Sequence, residues 1–350
     1  MGSDPRQDRG AGERPAVEVG LVLRDGDLRA YRGRLGELTS IVAGAGLDHV
    51  TVGDHVSFAG GKGADGLVQA TALLCAHPTL PVQTGVYLLA LRHPATVARQ
   101  LSTISDIAPS RLTFGVGVGG DDPRELELCG VEPKTRGART SEALALLREF
   151  LTGEEVTFAG RFFRAQGAAI RPAPDPPPSI LVGGRSDAAL RRTGRLGDGW
   201  LALWVSPRRY TEGVGLVQEA AEAAGRAGVE WQHTLQLWTA FDRTRERALA
   251  RLRPVMERAY DIEFERFARY CPCGRPEDVA AELVPFVRAG CRRFNLVFEA
   301  DGLEAAAAAA AELKDLLSNA ADWTPRQQEV TLEHTRGEQP HVDTGLPTRS

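Results

Sequence analysis

The chain has 350 residues, a formal net charge of −4 and 43% hydrophobic, 25% charged and 6% aromatic residues, the composition of a globular protein rather than a disordered one. That balance holds no general attraction for phosphate backbones or anionic lipid, so nucleic acid and membrane surfaces are excluded as expected partners. Lysine occurs only as Lys62, Lys134 and Lys314, which removes the lysine-bearing phosphate loop of NTPases. Five cysteines, Cys75, Cys129, Cys271, Cys273 and Cys291, are too sparse for a disulfide framework. With no charged and apolar leader, and no apolar run near the roughly 18 residues of a membrane span, the expected location is the cytoplasm.

Residues 1–15 and 321–350 are polar, rich in Gly or Pro and without periodicity, and are predicted to be disordered tails around one domain at 16–320. Within it, β-branched apolar runs at 17–23, 49–52, 82–89, 112–118, 179–182, 199–204, 234–241 and 293–298 predict eight strands. Helical periodicity falls between them at 35–45, 94–107, 137–151, 187–196, 211–227, 276–289 and 302–317. Two insertions interrupt the alternation: 154–172 reads as a hairpin turning at Ala159-Gly160, and 243–270 as extra helices. Eight strands alternating with helices predict an α/β fold, a (β/α)8 TIM barrel with insertions, ahead of a doubly wound sheet. The chemistry of such a barrel sits at the C-terminal ends of its strands.

The second strand ends in Val52-Gly53-Asp54-His55. His55 is a candidate general acid or base, and Asp54 a group that orients it or meets a cofactor edge. The fourth strand runs into Gly115-Val116-Gly117-Val118-Gly119-Gly120-Asp121-Asp122, formally a G-x-G-x-x-G. Two acidic residues at the next helix start disfavour a pyrophosphate there, so these glycines read as room for a flat ring or a close backbone. After the fifth strand, Gly183-Gly184-Arg185-Ser186 leads straight into a helix. Free amides, the positive helix end and an arginine make it the better anion site. Trp200 and Trp204 near the sixth strand stack on a ring or fill core. Arg92-His93-Pro94 reads as helix punctuation and Cys271-Pro272-Cys273 as a turn; no metal site is expected.

In these stretches, and in Arg136-Gly137-Ala138-Arg139 and Gly197-Asp198-Gly199-Trp200, the sequence resembles the luciferase-like superfamily of flavin- and deazaflavin-dependent oxidoreductases, in one order over roughly residues 17 to 318. The resemblance implies a bacterial-luciferase-like barrel with a tricyclic ring at its mouth against a bulge on the third strand. It also implies a non-prolyl cis peptide at Gly85-Val86, and cofactor contacts at Asp54, Gly85, Val86, Gly119 and Gly120. The cofactor phosphate would lie on the amides of Gly183, Gly184, Arg185 and Ser186, with proton transfer by the Asp54-His55 pair. Some sugar-phosphate dehydrogenases of the superfamily carry a glutamate where Gly120 stands, which puts their particular substrate in doubt here. A homodimer is implied as well.

The expected activity is hydride transfer between coenzyme F-420 and a small organic substrate. The alternatives are an FMNH2-dependent monooxygenase, a non-catalytic flavin-binding relative and an NAD-dependent dehydrogenase using Gly115 to Gly120. Substrate contacts are expected from variable loops such as 57–66 and the two insertions.

Overall fold

The computed structural model describes residues 16–120 and 122–319. Both predicted tails, and Asp121 with the charge reading placed on it, lie outside the described residues. Eight parallel strands form the centre: β1 (Glu18–Leu23), β2 (His49–Val52), β3 (Val82–Thr84), β4 (Leu112–Gly117), β5 (Ile180–Gly183), β6 (Gly199–Leu203), β7 (Thr234–Phe241) and β8 (Arg293–Glu299). Each pairs with the next in chain order, and β8 returns to β1. The pairing of β4 with β5 leaves no open edge. This is the (β/α)8 barrel, and closure excludes the doubly wound sheet.

Around it run α1 (Leu35–Gly44), α2 (Gly66–Ala76), α3 (Pro94–Ile107), α4 (Arg136–Phe150), α5 (Asp187–Leu196), α6 (Pro207–Ala223), α7 (Pro276–Arg288) and α8 (Leu303–Ser318). Seven lie where periodicity put them, to within four residues. The helix α2 was not foreseen, because GLVQATALLCA is apolar almost all round and has no polar face to set a period. Its start is nevertheless marked: the Asp65 carboxylate accepts from the amides of Leu67 and Val68.

The barrel interior carries a polar thread. His49 Nε2 meets Asn295 Oδ1 at 2.7 Å, the Asn295 amide donates to Gln236 Oε1 at 3.4 Å, and the Gln236 amide reaches the Gly85 carbonyl at 3.5 Å. Full burial holds the His49 imidazole well below the usual histidine range. The thread ends beneath the mouth, at the break in the third strand.

Residues 154–172 do contain a hairpin, Val156–Ala159 against Arg164–Ala168, and the later insertion supplies a helix, Arg245–Tyr260, and two 3-10 turns. That insertion has its own apolar cluster. Ala248, Leu252, Met256, Phe264 and Phe267 pack on Val22, Trp238, Ala240 and Val297, so the insertion covers the β7–β8–β1 side of the mouth. No described helix is long and apolar enough to cross a membrane. Cys271, Cys273 and Cys291 are buried free thiols.

Candidate active site

The predicted run 82–89 is not one strand. It breaks after Thr84 at a cis Gly85-Val86 peptide and resumes at Tyr87 and Leu88, which pair with Val116 and Gly117 of β4. The break turns the Val86 side chain into the mouth, where it is half-buried. A Cβ on Gly117 would overlap Val86 Cγ2, and one on Gly183 would stand 2.8 Å from Val86 Cγ1. The glycines at the ends of β4 and β5 therefore make room for this bulge. Gly115 has a related reason: its Cβ would overlap the Thr84 carbonyl, so the glycine run serves close packing of backbone, as the sequence suggested.

Asp54 does not orient His55, which corrects the sequence expectation. Its side chain is sealed from solvent and forms a fork with Arg92, Nη1 to Oδ2 at 2.6 Å and Nη2 to Oδ1 at 2.8 Å. The amides of Gly66 and Leu88 donate to the same carboxylate, each at 2.9 Å. Burial raises the Asp54 carboxyl above its usual range against the pull of Arg92 and these amides. Because Leu88 lies two residues past the bulge, Asp54 pins the loop carrying His55 to the bed of the mouth. Arg92, read from sequence as punctuation, is half of this anchor and also lies over the Tyr87 ring at 4.4 Å.

His55 is oriented by Glu125 instead. Its Nδ1 lies 3.1 Å from Glu125 Oε2, and Glu125 Oε1 accepts from the amides of Val56 at 2.6 Å and Ser57 at 3.0 Å. The Glu125 side chain is 3% exposed and that of His55 35%. A carboxylate only accepts, so Nδ1 is assigned the hydrogen of this contact, which leaves Nε2 as the ring atom turned to proton exchange. Phe58 stacks on the imidazole at 4.4 Å. The predicted loop 57–66 is largely a hairpin, His55–Phe58 against Lys62–Ala64. Glu125 sits on the short helix Pro123–Leu128, whose N-cap is Asp122. The Asp122-Pro123 pair signals that helix in the sequence, but nothing in the spacing links its glutamate to a histidine 70 residues earlier.

At the end of β5, Gly184 (φ +123°) turns the chain into α5, and Ser186 caps it by accepting from the Ala189 amide at 3.3 Å. Gly184, Arg185 and Ser186 are solvent-accessible, and the first amides of a helix lack intrahelical partners. Trp200 fixes this turn: its indole is buried and donates to the Gly184 carbonyl at 2.6 Å. Gly119 (φ +65°) and Gly120 (φ +115°) curve the chain at the end of β4. A Cβ on Gly120 would stand 2.6 Å from Arg136 Nε. Neither Arg136, whose Nη1 donates to the Pro133 carbonyl at 2.8 Å, nor Arg185 has a carboxylate partner among the described residues, and Arg136 lies beside Gly120 at the end of β4, the strand next to β5. Unpaired helix amides and guanidinia are chemically suited to an anion such as a phosphate, and the Val86 bulge leaves a half-buried apolar surface in the mouth.

The sequence profile of the luciferase-like monooxygenase family matches residues 24–337. The F420-dependent glucose-6-phosphate dehydrogenase of Nakamurella multipartita is 32% identical over 211 residues, covering 58% of this chain and 62% of that protein. The F420-dependent glucose-6-phosphate dehydrogenase 1 of Rhodococcus jostii is 30% identical over 296 residues, covering 76% of this chain and 88% of that one. Among solved structures, an F420-dependent secondary alcohol dehydrogenase in complex with an F420-acetone adduct superposes with a TM-score of 0.75 at 20% identity, over 86% of this chain and 99% of the other. At that identity the superposition shows a shared fold.

Proposed function

We propose, from the premise that this chain belongs to the luciferase-like monooxygenase family, that it is a two-electron oxidoreductase exchanging a hydride between coenzyme F-420 and a small organic alcohol or carbonyl compound. The observation that carries the reading is the His55–Glu125 pair at the end of β2, on a loop that Asp54 and Arg92 tie to the bulge. Relatives named for dependence on the same coenzyme support its choice over FMN.

When bound, the coenzyme supplies or accepts the hydride. The chain's own residues do the rest. Amides at Gly184, Arg185 and Ser186, with the Arg185 and Arg136 guanidinia, hold the anionic part. Gly85 and Val86 form the bed of the ring, and Gly119 and Gly120 let the chain curve beside it. As the alcohol carbon loses its hydride, the hydroxyl proton passes to His55 Nε2; in the reverse direction Nε2 returns it. Glu125 stabilises the imidazolium that exists between these events. Asp54 and Arg92 hold position and exchange no proton with substrate.

Anaerobic titration of the purified protein with F-420, FMN and FAD tests the reading. Saturable binding of F-420, tighter than that of either flavin, is expected. Binding of FMN alone, with dioxygen uptake once it is reduced, would replace this account with the monooxygenase alternative.

A further inference from the structure

Resting on that reading, we infer that Gln236 is a cofactor-binding residue: its side-chain amide donates a hydrogen bond to an acceptor atom of the ring, and Asn295 and His49 are the positioning residues that fix which way the amide points. Gln236 lies on β7, in register with Leu203 of β6 and Asn295 of β8. Its side chain crosses the barrel to the third strand, where the amide reaches the Gly85 carbonyl at 3.5 Å. Gly85 leaves the space that the amide fills, since a Cβ there would stand 2.8 Å from Gln236 Oε1 and 2.6 Å from Thr51 Cγ2. The amide is therefore held against the residue proposed as the bed of the ring.

Exposure separates Gln236 from the other polar groups inside the barrel. His49, Thr51, Gln83 and Asn295 have no exposed surface, whereas Gln236, Gly85 and Val86 are each partly accessible. Gln236 touches Gly85, and Gly85 begins the bulge that stands in the mouth, so Gln236 belongs to the floor on which an occupant rests.

The direction of the amide follows from the far end of the thread. A carbonyl oxygen only accepts, so the Gln236 atom facing Gly85 is assigned as Nε2, and Oε1 turns to Asn295. Oε1 then accepts from Asn295 Nδ2 at 3.4 Å, and Asn295 Oδ1 accepts from His49 Nε2 at 2.7 Å. This leaves His49 Nδ1 bare, and Nδ1 is a buried atom without a partner. Burial keeps the imidazole neutral, so one hydrogen serves the ring and every link points from the core to the mouth. A primary amide has two N–H groups. One is directed at Gly85 across a bond longer than the usual 2.9–3.0 Å or so, and the other has no partner among the described residues. An unpaired donor at the floor of a binding mouth is complementary to an acceptor, and a flavin-type ring carries carbonyl oxygens and ring nitrogens that accept.

Two measurements test the inference. Nitrogen NMR of the labelled protein without cofactor reads the His49 tautomer. A hydrogen on Nε2 is expected; a hydrogen on Nδ1 would reverse the thread, present Gln236 Oε1 to the mouth and overturn the inference. Titration with F-420 reads the contact itself. Gln236→Met keeps the length of the side chain and removes its donor. It should weaken F-420 by about 2- to 12-fold and shift the visible absorption band of the bound coenzyme, because a hydrogen bond to the ring perturbs the chromophore. Asn295→Leu frees the Gln236 amide to turn and should shift the band in the same direction. Leu201→Met changes the packing against the same Gly85 and should leave the band in place, so that the shift reports the donor rather than the shape of the bed. Unchanged affinity and band in Gln236→Met, or an equal shift in Leu201→Met, would overturn the inference and leave the coenzyme reading standing. Failure of F-420 to saturate the parent protein would refute the coenzyme reading and this contact with it, whatever the tautomer.

Discussion

Gly183→Ala tests the packing of the Val86 bulge, the proposed bed of the ring. Gly183 lies in β5 without a positive φ, so alanine fits its backbone and the effect is purely steric. The added Cβ would stand 2.8 Å from Val86 Cγ1 and 3.3 Å from the Val116 carbonyl, while carbon pairs prefer about 3.5–4.0 Å. Relief requires Val86 to move by close to an ångström, and overpacking of this kind costs about 1–3 kcal/mol. Thermal melts should show a Tm lowered by about 2–4 °C for each kcal/mol, and F-420 affinity should fall because the bed itself has shifted. Val86→Ala removes Cγ1 and leaves its Cβ at 4.0 Å, an ordinary contact. In the double variant the two lesions should therefore be less than additive, with a coupling of about 1–2 kcal/mol. Strict additivity, or a Gly183→Ala protein as stable and as tight for F-420 as the parent, would refute the claim that glycine is needed to seat the bulge.

Arg92→Met leaves the sealed Asp54 carboxylate without its fork and should destabilise the fold by about 3–5 kcal/mol in chemical denaturation. Glu125→Gln keeps the acceptor for the Val56 and Ser57 amides but removes the charge behind His55. It should lower kcat about 10- to 100-fold with little change in KM, and move the pH profile of kcat. Trp200→Phe deletes the bond to the Gly184 carbonyl, about 0.5–1.5 kcal/mol, and should weaken F-420 by about 2- to 12-fold through the anion turn. His233 is held down to about 4 by burial, and its Nδ1 accepts from the Trp200 amide at 3.0 Å. The unfolded chain takes up this proton first, so stability is complete above the ordinary value of 6.5 and is lost as pH falls toward 4. The slope from this residue is about 1.4 kcal/mol per pH unit, and His233→Gln should remove that share of the acid limb in denaturation curves.

Much of this architecture is written locally. Alternation of β-branched runs with helical periods gives the barrel, because each element must bury one face and the period records which. The Gly183-Gly184 pair before a Ser186 cap announces its turn in four residues. Contacts across long separations carry no such record. Glu125 reaches His55 and Arg92 reaches Asp54 only because β2, the third strand and the helix after β4 converge at the mouth. Asp54 and His55 are adjacent in sequence and divide in space, one sealed under Arg92 and the other half-open beside Glu125. Neighbouring side chains at a strand end point to different sides, which adjacency in the sequence hides. Trp200 illustrates a third case: its burial was foreseeable, while its bond to the Gly184 carbonyl at the start of α5 was set by the pairing of β5 with β6.

The most direct measurement is a crystal structure of the protein soaked with F-420. The account predicts the tricyclic ring lying on Gly85 and Val86, its phosphate on the amides of Gly184, Arg185 and Ser186, and His55 Nε2 facing the reacting edge. A phosphate bound along Gly115 to Gly120, or a ring seated away from the bulge with His55 turned from it, would contradict the account.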